Sequence, residues 1–263
     1  MKTKKIGFIG TGNMGAALAR AVCAAGFSVL LYDKDTAKAE ALGKELGGSA
    51  ASLESLWQEC GYIFVGVKPQ ALGLLADELS GLPRDNEPVL ISMAAGTSIE
   101  RLEQLFGDRP IIRIMPNTSV AYGCGMVLWC CNGRVTEQDR AEFLEFMSAS
   151  GRLDLIPESL IDAASALSGC GPAFVYMFLE ALADGGVRCG LPRDKATLYA
   201  AQTLLGAATT LLESGKHPEA LKDAVCSPGG TTIEGVRALE SGGLRAAAMN
   251  AVIAAYEKTL KMK

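Results

Sequence analysis

Histidine is almost missing from this sequence: His217 is the only one in 263 residues. Histidine is the commonest metal ligand and the side chain that changes charge near neutral pH. Its scarcity argues against a zinc site. The eight cysteines, Cys23, Cys60, Cys124, Cys130, Cys131, Cys170, Cys189 and Cys226, do not make up for it, since none stands in a C-x-x-C pair. Scattered through apolar segments, they read as small reduced core residues, and the expected compartment is the cytoplasm. No metal is expected. No apolar run reaches the length of a membrane span. The start, Met1-Lys2-Thr3-Lys4-Lys5, is basic, but the apolar run behind it is short and broken by glycine, so no secretory signal is expected. Charge of one sign is lacking too. A net charge of −4 argues against nucleic acid or an anionic membrane as partner. Internal repeats and low-complexity tracts are absent, and hydrophobic residues make up 49%, enough for a sizeable core.

Glycine, by contrast, stands in a telling order. Ile6, Phe8 and Ile9 form a short apolar run that reads as a buried strand. Gly10, Gly12 and Gly15 follow in the spacing G-x-G-x-x-G, with Thr11, Asn13 and Met14 between them, and Ala16 to Ala25 is rich in helix formers. Strand, glycine turn and helix are the context a dinucleotide fingerprint needs. Gly10 permits the tight turn, Gly12 lets the backbone approach a pyrophosphate, and Gly15 lets the helix lie close to the strand. Any strand-to-helix turn favours glycine, so the next segment matters. Phe27 to Tyr32 reads as a second strand ending on Asp33, about twenty residues beyond the glycines, where a ribose-binding carboxylate belongs.

Strands and helices keep alternating to about residue 155. Thr36 to Leu46 is a helical run closed by Gly47-Gly48. Tyr62 to Val65, Val89 to Ser92 and Ile111 to Ile114 read as strands, Val127 to Trp129 as a further one, and Leu153 to Ile156 as the last. Thr97 with Glu100 is expected to form a capping box, and Thr136 to Ser148 a helix. This alternation predicts an α/β fold, a doubly wound, mostly parallel sheet of Rossmann type. Ligands of such sheets sit beyond the C-terminal strand ends. The segments after Ile9, Val65, Ile91 and Ile114 should line one cleft, which makes Val67, Lys68, Pro69, Ala95 and Asn117 candidate cofactor contacts. Lys68 reads as a positioning charge after a strand end; Asn117, after Pro116, is equally a turn residue.

From about residue 158 strand signals stop and helical runs rich in alanine take over. The expected division is a dinucleotide-binding domain over 1–157 and an all-α domain over 158–263. So apolar a set of helices needs a partner to cover it, which predicts a dimerisation domain. Tyr176, with Phe174, Met177 and Phe178, reads as core packing. His217 precedes Pro218 in a connector and reads as structural or exposed.

One further segment is unusual: Cys226-Ser227-Pro228-Gly229-Gly230-Thr231-Thr232-Ile233-Glu234. Proline and two glycines set a tight turn between helices, and Thr231 with Glu234 has capping-box spacing. The segment is either a plain helix connector or an anion site built on the N–H groups of the following helix. Leu221 to Gly235, which contains it, resembles the signature of the pyrroline-5-carboxylate reductase family. The resemblance extends over nearly the whole chain: Gly7 to Gly15, Val67-Lys68-Pro69, Ala94-Ala95-Gly96, Arg113 to Asn117, Leu167 to Ala173 and Ala181 to Gly186 are similar to that family's opening, cleft loops and long dimer helix.

The resemblance implies reduction of L-1-pyrroline-5-carboxylate to L-proline with NAD(P)H by a homodimer joined through the helical domain; some members of that family assemble dimers into larger rings. It implies that the backbone from Ser227 through Gly229, Gly230 and Thr231 holds the substrate carboxylate, and that the Thr232 hydroxyl faces the ring nitrogen as the catalytic group. Asp33 leads to an expected preference for NADH, with NADPH usable but weaker; Lys34 and Lys38 pull the other way. Two other readings are a β-hydroxyacid dehydrogenase and a nucleotide-binding protein without turnover. The first would carry a lysine near Ser168-Gly169-Cys170-Gly171-Pro172, where there is none; the second would have no need of the Ser-Pro-Gly-Gly-Thr-Thr turn.

Overall fold

The structure is a computed structural model that describes residues 5–82 and 87–261. The basic start at Met1 to Lys4 lies outside the described residues. Among those described, the first half runs β1 (Lys5–Ile9), α1 (Asn13–Ala24), β2 (Val29–Tyr32), α2 (Thr36–Leu46), β3 (Ser49–Ala50), α3 (Leu53–Glu59), β4 (Cys60–Val65), α4 (Leu72–Ser80), β5 (Val89–Ser92), α5 (Ile99–Phe106), β6 (Ile111–Pro116), β7 (Gly125–Cys131), α6 (Glu137–Phe146), β8 (Gly151–Leu155) and α7 (Glu158–Ser168). Helices follow: α8 (Gly171–Arg188), α9 (Arg193–Ser214), α10 (Pro218–Ala224), α11 (Thr231–Ser241) and α12 (Leu244–Leu260).

The eight strands form one sheet in the order β3-β2-β1-β4-β5-β6-β7-β8. Every pairing is parallel except β6 with β7. Between those two the chain makes only a 3₁₀ turn over Thr118–Tyr122, too short for the crossover a parallel pair requires. The sheet is covered on both faces, so its strands alternate between two cores. In β4, Tyr62 and Phe64 join Phe8, Leu18, Trp129, Phe143 and Phe146 on one side. Ile63 and Val65 join Ile9, Leu56, Trp57, Leu90 and Phe106 on the other. Phe8 and Phe64 stack with ring centroids 4.4 Å apart across neighbouring strands.

Two sequence expectations shift here. Ser98, not Thr97, caps α5, accepting from the Arg101 N–H at 3.1 Å. Ser98 has the extended backbone a cap needs, and the Ile99 N–H is taken by Glu158 at 2.7 Å. Cys60 and Cys130 are the buried thiols expected of core residues, and burial pushes both up to about 12. Cys124 and Cys189, however, are exposed.

The chain divides by its internal contacts into two compact units, Met1–Cys170 with Tyr256–Lys263, and Gly171–Ala255. Helix α7 belongs with the sheet: Ile161 is buried with Ile99 and Cys130. Arg113, buried on β6, donates to Glu158 at 2.8 Å and Asp162 at 3.2 Å on α7. In the second unit α8 and α9 meet through small residues, with Ala183, Ala196 and Ala200 against Leu179 and Val187. Tyr176 is not core: it is 63% exposed and Met177 71%. No residue of α10, α11 or α12 is buried. The expectation that no apolar stretch reaches span length also needs correction. Glu158–Arg188, 31 residues, is long and apolar enough to cross a membrane by length and composition alone, its most apolar 18-residue window having mean hydropathy 1.4. The helical run breaks only at Gly169-Cys170, between α7 and α8, and no charged residue stands between Asp162 and Glu180.

Candidate active site

The glycine loop between β1 and α1 shows why each glycine is needed. Gly10 has φ +95°, and a Cβ there would stand 2.9 Å from the backbone of Gly66 at the end of β4. A Cβ on Gly15 would run into the Gly10 carbonyl, so α1 could not approach β1. Gly12 has no atom within 4 Å of its would-be Cβ, so that side of the loop is open. Gly12 is also the N-cap of α1, with no side-chain cap and no acid in the first turn. The first N–H groups of α1 therefore have no side-chain cap and lie at the positive end of the helix dipole. These residues fit a pyrophosphate.

Asp33, at the end of β2, does not stand free. Its Oδ2 accepts the Thr11 N–H at 2.7 Å and the Thr11 hydroxyl at 2.9 Å, and its Oδ1 accepts the Asp35 N–H at 3.0 Å. Burial alone would raise this carboxyl, but those hydrogen bonds and the Lys38 charge outweigh it and hold the group below the usual carboxylate range.

Beside the loop lies a cavity of about 520 Å³ lined by residues 12–15, 66–69, 93–95, Met115 and Pro116. It joins Gly12, Asn13, Met14, Gly15, Val67, Lys68, Pro69 and Ala95 at the C-terminal strand ends, the place that alternation predicted. Gly66 and the thioether side chains of Met93 and Met115 add an apolar wall that the sequence reading gave no individual role. Lys68 is exposed and precedes the 3₁₀ turn Pro69–Ala71. Gly10, Thr11, Asp33 and Asn117 do not line this cavity. Thr11 lines an adjoining hollow with Arg20 and Lys38. Asn117 uses its side chain to tie the sheet to α7: Nδ2 donates to Ser168 O at 3.1 Å, and Oδ1 accepts the Met126 N–H at 3.2 Å.

The Ser227–Thr232 segment lies in the second unit. Ser227 O accepts the Gly230 N–H at 3.0 Å, closing a tight turn in which Gly229 has φ +65°. A Cβ on Gly230 would strike the Ser227 hydroxyl. Thr231 does not cap α11. The cap is Gly230, with extended backbone and no side chain to offer, and Glu234 pairs with Arg237 at 3.0 Å instead of closing a box. Thr231 and Thr232 are thus the first two residues of the helix, both exposed, and the first-turn N–H groups have no side-chain cap. The flank is braced: Glu219 on α10 binds Lys222 and, 2.7 Å away, Arg245 of α12, which together hold the Glu219 carboxyl down at about 2. His217 is the N-cap of α10, its Nδ1 accepting the Glu219 N–H at 3.3 Å.

Comparison with known proteins adds to this geometry. Residues 158–262 match the profile described as pyrroline-5-carboxylate reductase dimerisation, and residues 5–96 that of NADP oxidoreductase, coenzyme F420-dependent. The pyrroline-5-carboxylate reductase of Escherichia coli K12 is 42% identical over 98% of both chains. The chain belongs to the pyrroline-5-carboxylate reductase family. Solved members share its fold. The Coxiella burnetii reductase superimposes with TM-score 0.91 at 28% identity, covering 100% of this chain and 99% of that one. The Plasmodium falciparum reductase, solved with NADP bound, gives 0.84 at 34% identity over 98% and 99%.

Proposed function

We propose that this chain catalyses reduction of L-1-pyrroline-5-carboxylate to L-proline with NAD(P)H. The observation that carries the reading is the uncapped first turn of α11 behind Ser227-Pro228-Gly229-Gly230, in a chain whose glycine loop is shaped for a dinucleotide. Bound NAD(P)H supplies the hydride for C5 of the cyclic imine, whose nitrogen ends with the proton of the secondary amine. The protein's part is to bind and orient. Loop residues 10–15 receive the pyrophosphate and Asp33 the adenine ribose, while Val67, Lys68, Pro69 and Ala95 shape the nicotinamide side and Asn117 braces the end of β6 behind them. The N–H groups from Ser227 to Thr231 hold the substrate carboxylate. The Thr232 hydroxyl can donate or accept, which suits it to orient the imine nitrogen and relay a proton.

The working unit in this reading is a cytoplasmic homodimer formed through residues 158–263, which also covers the exposed apolar faces of the helices; residues 1–157 bind the dinucleotide. NADH is the preferred cofactor because Asp33 would repel a 2′-phosphate. The test follows NAD(P)H oxidation spectroscopically with pyrroline-5-carboxylate and identifies the product. Stoichiometric proline is expected. No oxidation of either cofactor by a folded protein would overturn the reading.

A further inference from the structure

We propose that Asp33 is a positioning residue for the glycine loop: it clamps Thr11 and so has one acceptor position left, enough for a single ribose hydroxyl. This rests on the cofactor-site reading above. An ionised carboxylate offers about four acceptor positions. Three are taken: both on Oδ2 by the Thr11 N–H and hydroxyl, and one on Oδ1 by Asp35. A fourth bond, Gly10 N–H to Tyr32 O at 2.8 Å, ties the same stretch to the end of β2. Gly10 and Thr11 are thus pinned to Tyr32 and Asp33, and the next residue, Gly12, is the open corner that starts α1. Thr11 is 7% exposed, so water competes poorly for these bonds, and hydrogen bonds to a charged acceptor are the stronger kind. The carboxylate that would sense the ribose also fixes the slope at which the loop presents its N–H groups to the pyrophosphate.

The two duties separate in binding measurements. Dissociation constants for NADH, NADPH and ADP-ribose are measured by fluorescence and calorimetry on Thr11→Val, Thr11→Ser and Asp33→Ser, with Tm as a check on folding. Thr11→Val removes the hydroxyl bond and keeps the side-chain shape. It should weaken all three ligands by a similar factor, on the order of tenfold, and leave the NADH/NADPH ratio unchanged. Thr11→Ser, which keeps the hydroxyl, should recover most of that loss. Asp33→Ser should weaken NADPH as well as NADH, NADH more. A carboxylate concerned only with selectivity predicts the opposite for NADPH: tighter binding once the charge is gone. Tighter NADPH in Asp33→Ser, or wild-type affinities in Thr11→Val, would sink the proposal while leaving Asp33 a ribose contact. Wild-type affinities in both variants would remove the cofactor-site reading itself. Should Thr11→Val fail to fold, the NADPH result in Asp33→Ser decides alone.

Discussion

Thr232 occupies the second position of α11, exposed and in the open first turn behind Gly230. It caps nothing, so its replacement removes little from the fold and, in the proposed mechanism, one oriented hydrogen bond from the transition state. Thr232→Ala should lower kcat by about ten- to a hundredfold with an unchanged Tm and cofactor affinity; unchanged kinetics would take Thr232 out of the site. The residue at the other end of the chemistry is Asp33. A 2′-phosphate beside its carboxylate meets a repulsion of several kcal/mol at an intermediate dielectric, on the order of 4 kcal/mol for charges 4 Å apart, and less at this partly exposed position. Lys34 and Lys38 oppose it only in part, since they pair with Glu78 and Asp35. The ratio of kcat/KM for NADH over NADPH should exceed one and should fall in Asp33→Ser. A wild type that strongly prefers NADPH would show that the lysines govern. What the sequence made legible at this scale was spacing: Gly10, Gly12, Gly15 and Asp33 stand where their intervals placed them. It did not reveal that Thr11 already occupies Asp33, because that bond joins residues 22 apart through the turn geometry. Nor did it place the caps. Thr231 and Thr97 each stand one residue from the true cap, and a cap is chosen by backbone angles that a Ser/Thr/Gly-rich stretch offers to several neighbours.

At the scale of the element, the strands were readable because this sheet buries both faces. Runs such as Tyr62-Ile63-Phe64-Val65 must then be apolar throughout. Strand β3 escaped notice because Ser49 and Ala50 have no such run and pair only at the sheet edge. The reversal of β7 is a property of the connection, not of its composition. The junction of α7 to the sheet was likewise silent in the sequence, since it combines one buried isoleucine with an ionic fastening. Arg113 has 3% of its side chain exposed and holds Glu158 and Asp162, the latter 8% exposed. Glu158 in turn takes the first N–H of α5. One guanidinium therefore links β6, α7 and, through Glu158, α5. Breaking a buried ion pair from one side typically costs about 3–5 kcal/mol, so Arg113→Ala should destabilise the protein by about that much, read from the midpoint of urea unfolding. A loss under about 1 kcal/mol would mean that water reaches Asp162 easily and that α7 is held by Ile161 and its neighbours instead.

For the whole molecule the decisive feature is what the second unit leaves uncovered. Val175, Tyr176 and Met177 on α8, Leu198, Leu205 and Leu212 on α9, and Ile253 on α12 are each about half exposed or more. In α9 the leucines recur at seven-residue intervals, so they share one face of the helix. Soluble monomers rarely leave apolar patches of this extent open, and the matched dimerisation profile spans these same helices. Tyr176 reads as core from its apolar neighbours but is 63% exposed, because an apolar pattern marks a face that favours burial without saying what buries it. A symmetric dimer buries such a face against itself, and obligate homodimer interfaces run to a few thousand Å². Light scattering should therefore report at least twice the chain mass at micromolar concentration, and Tm should rise with protein concentration because assembly and folding are linked by mass action. Leu205→Glu, placing a charge in the middle of that face, should shift the scattering mass towards one chain and remove the concentration dependence of Tm. A wild-type protein that scatters as a stable monomer at micromolar concentration, with a Tm independent of dilution, would show that these helices need no second copy.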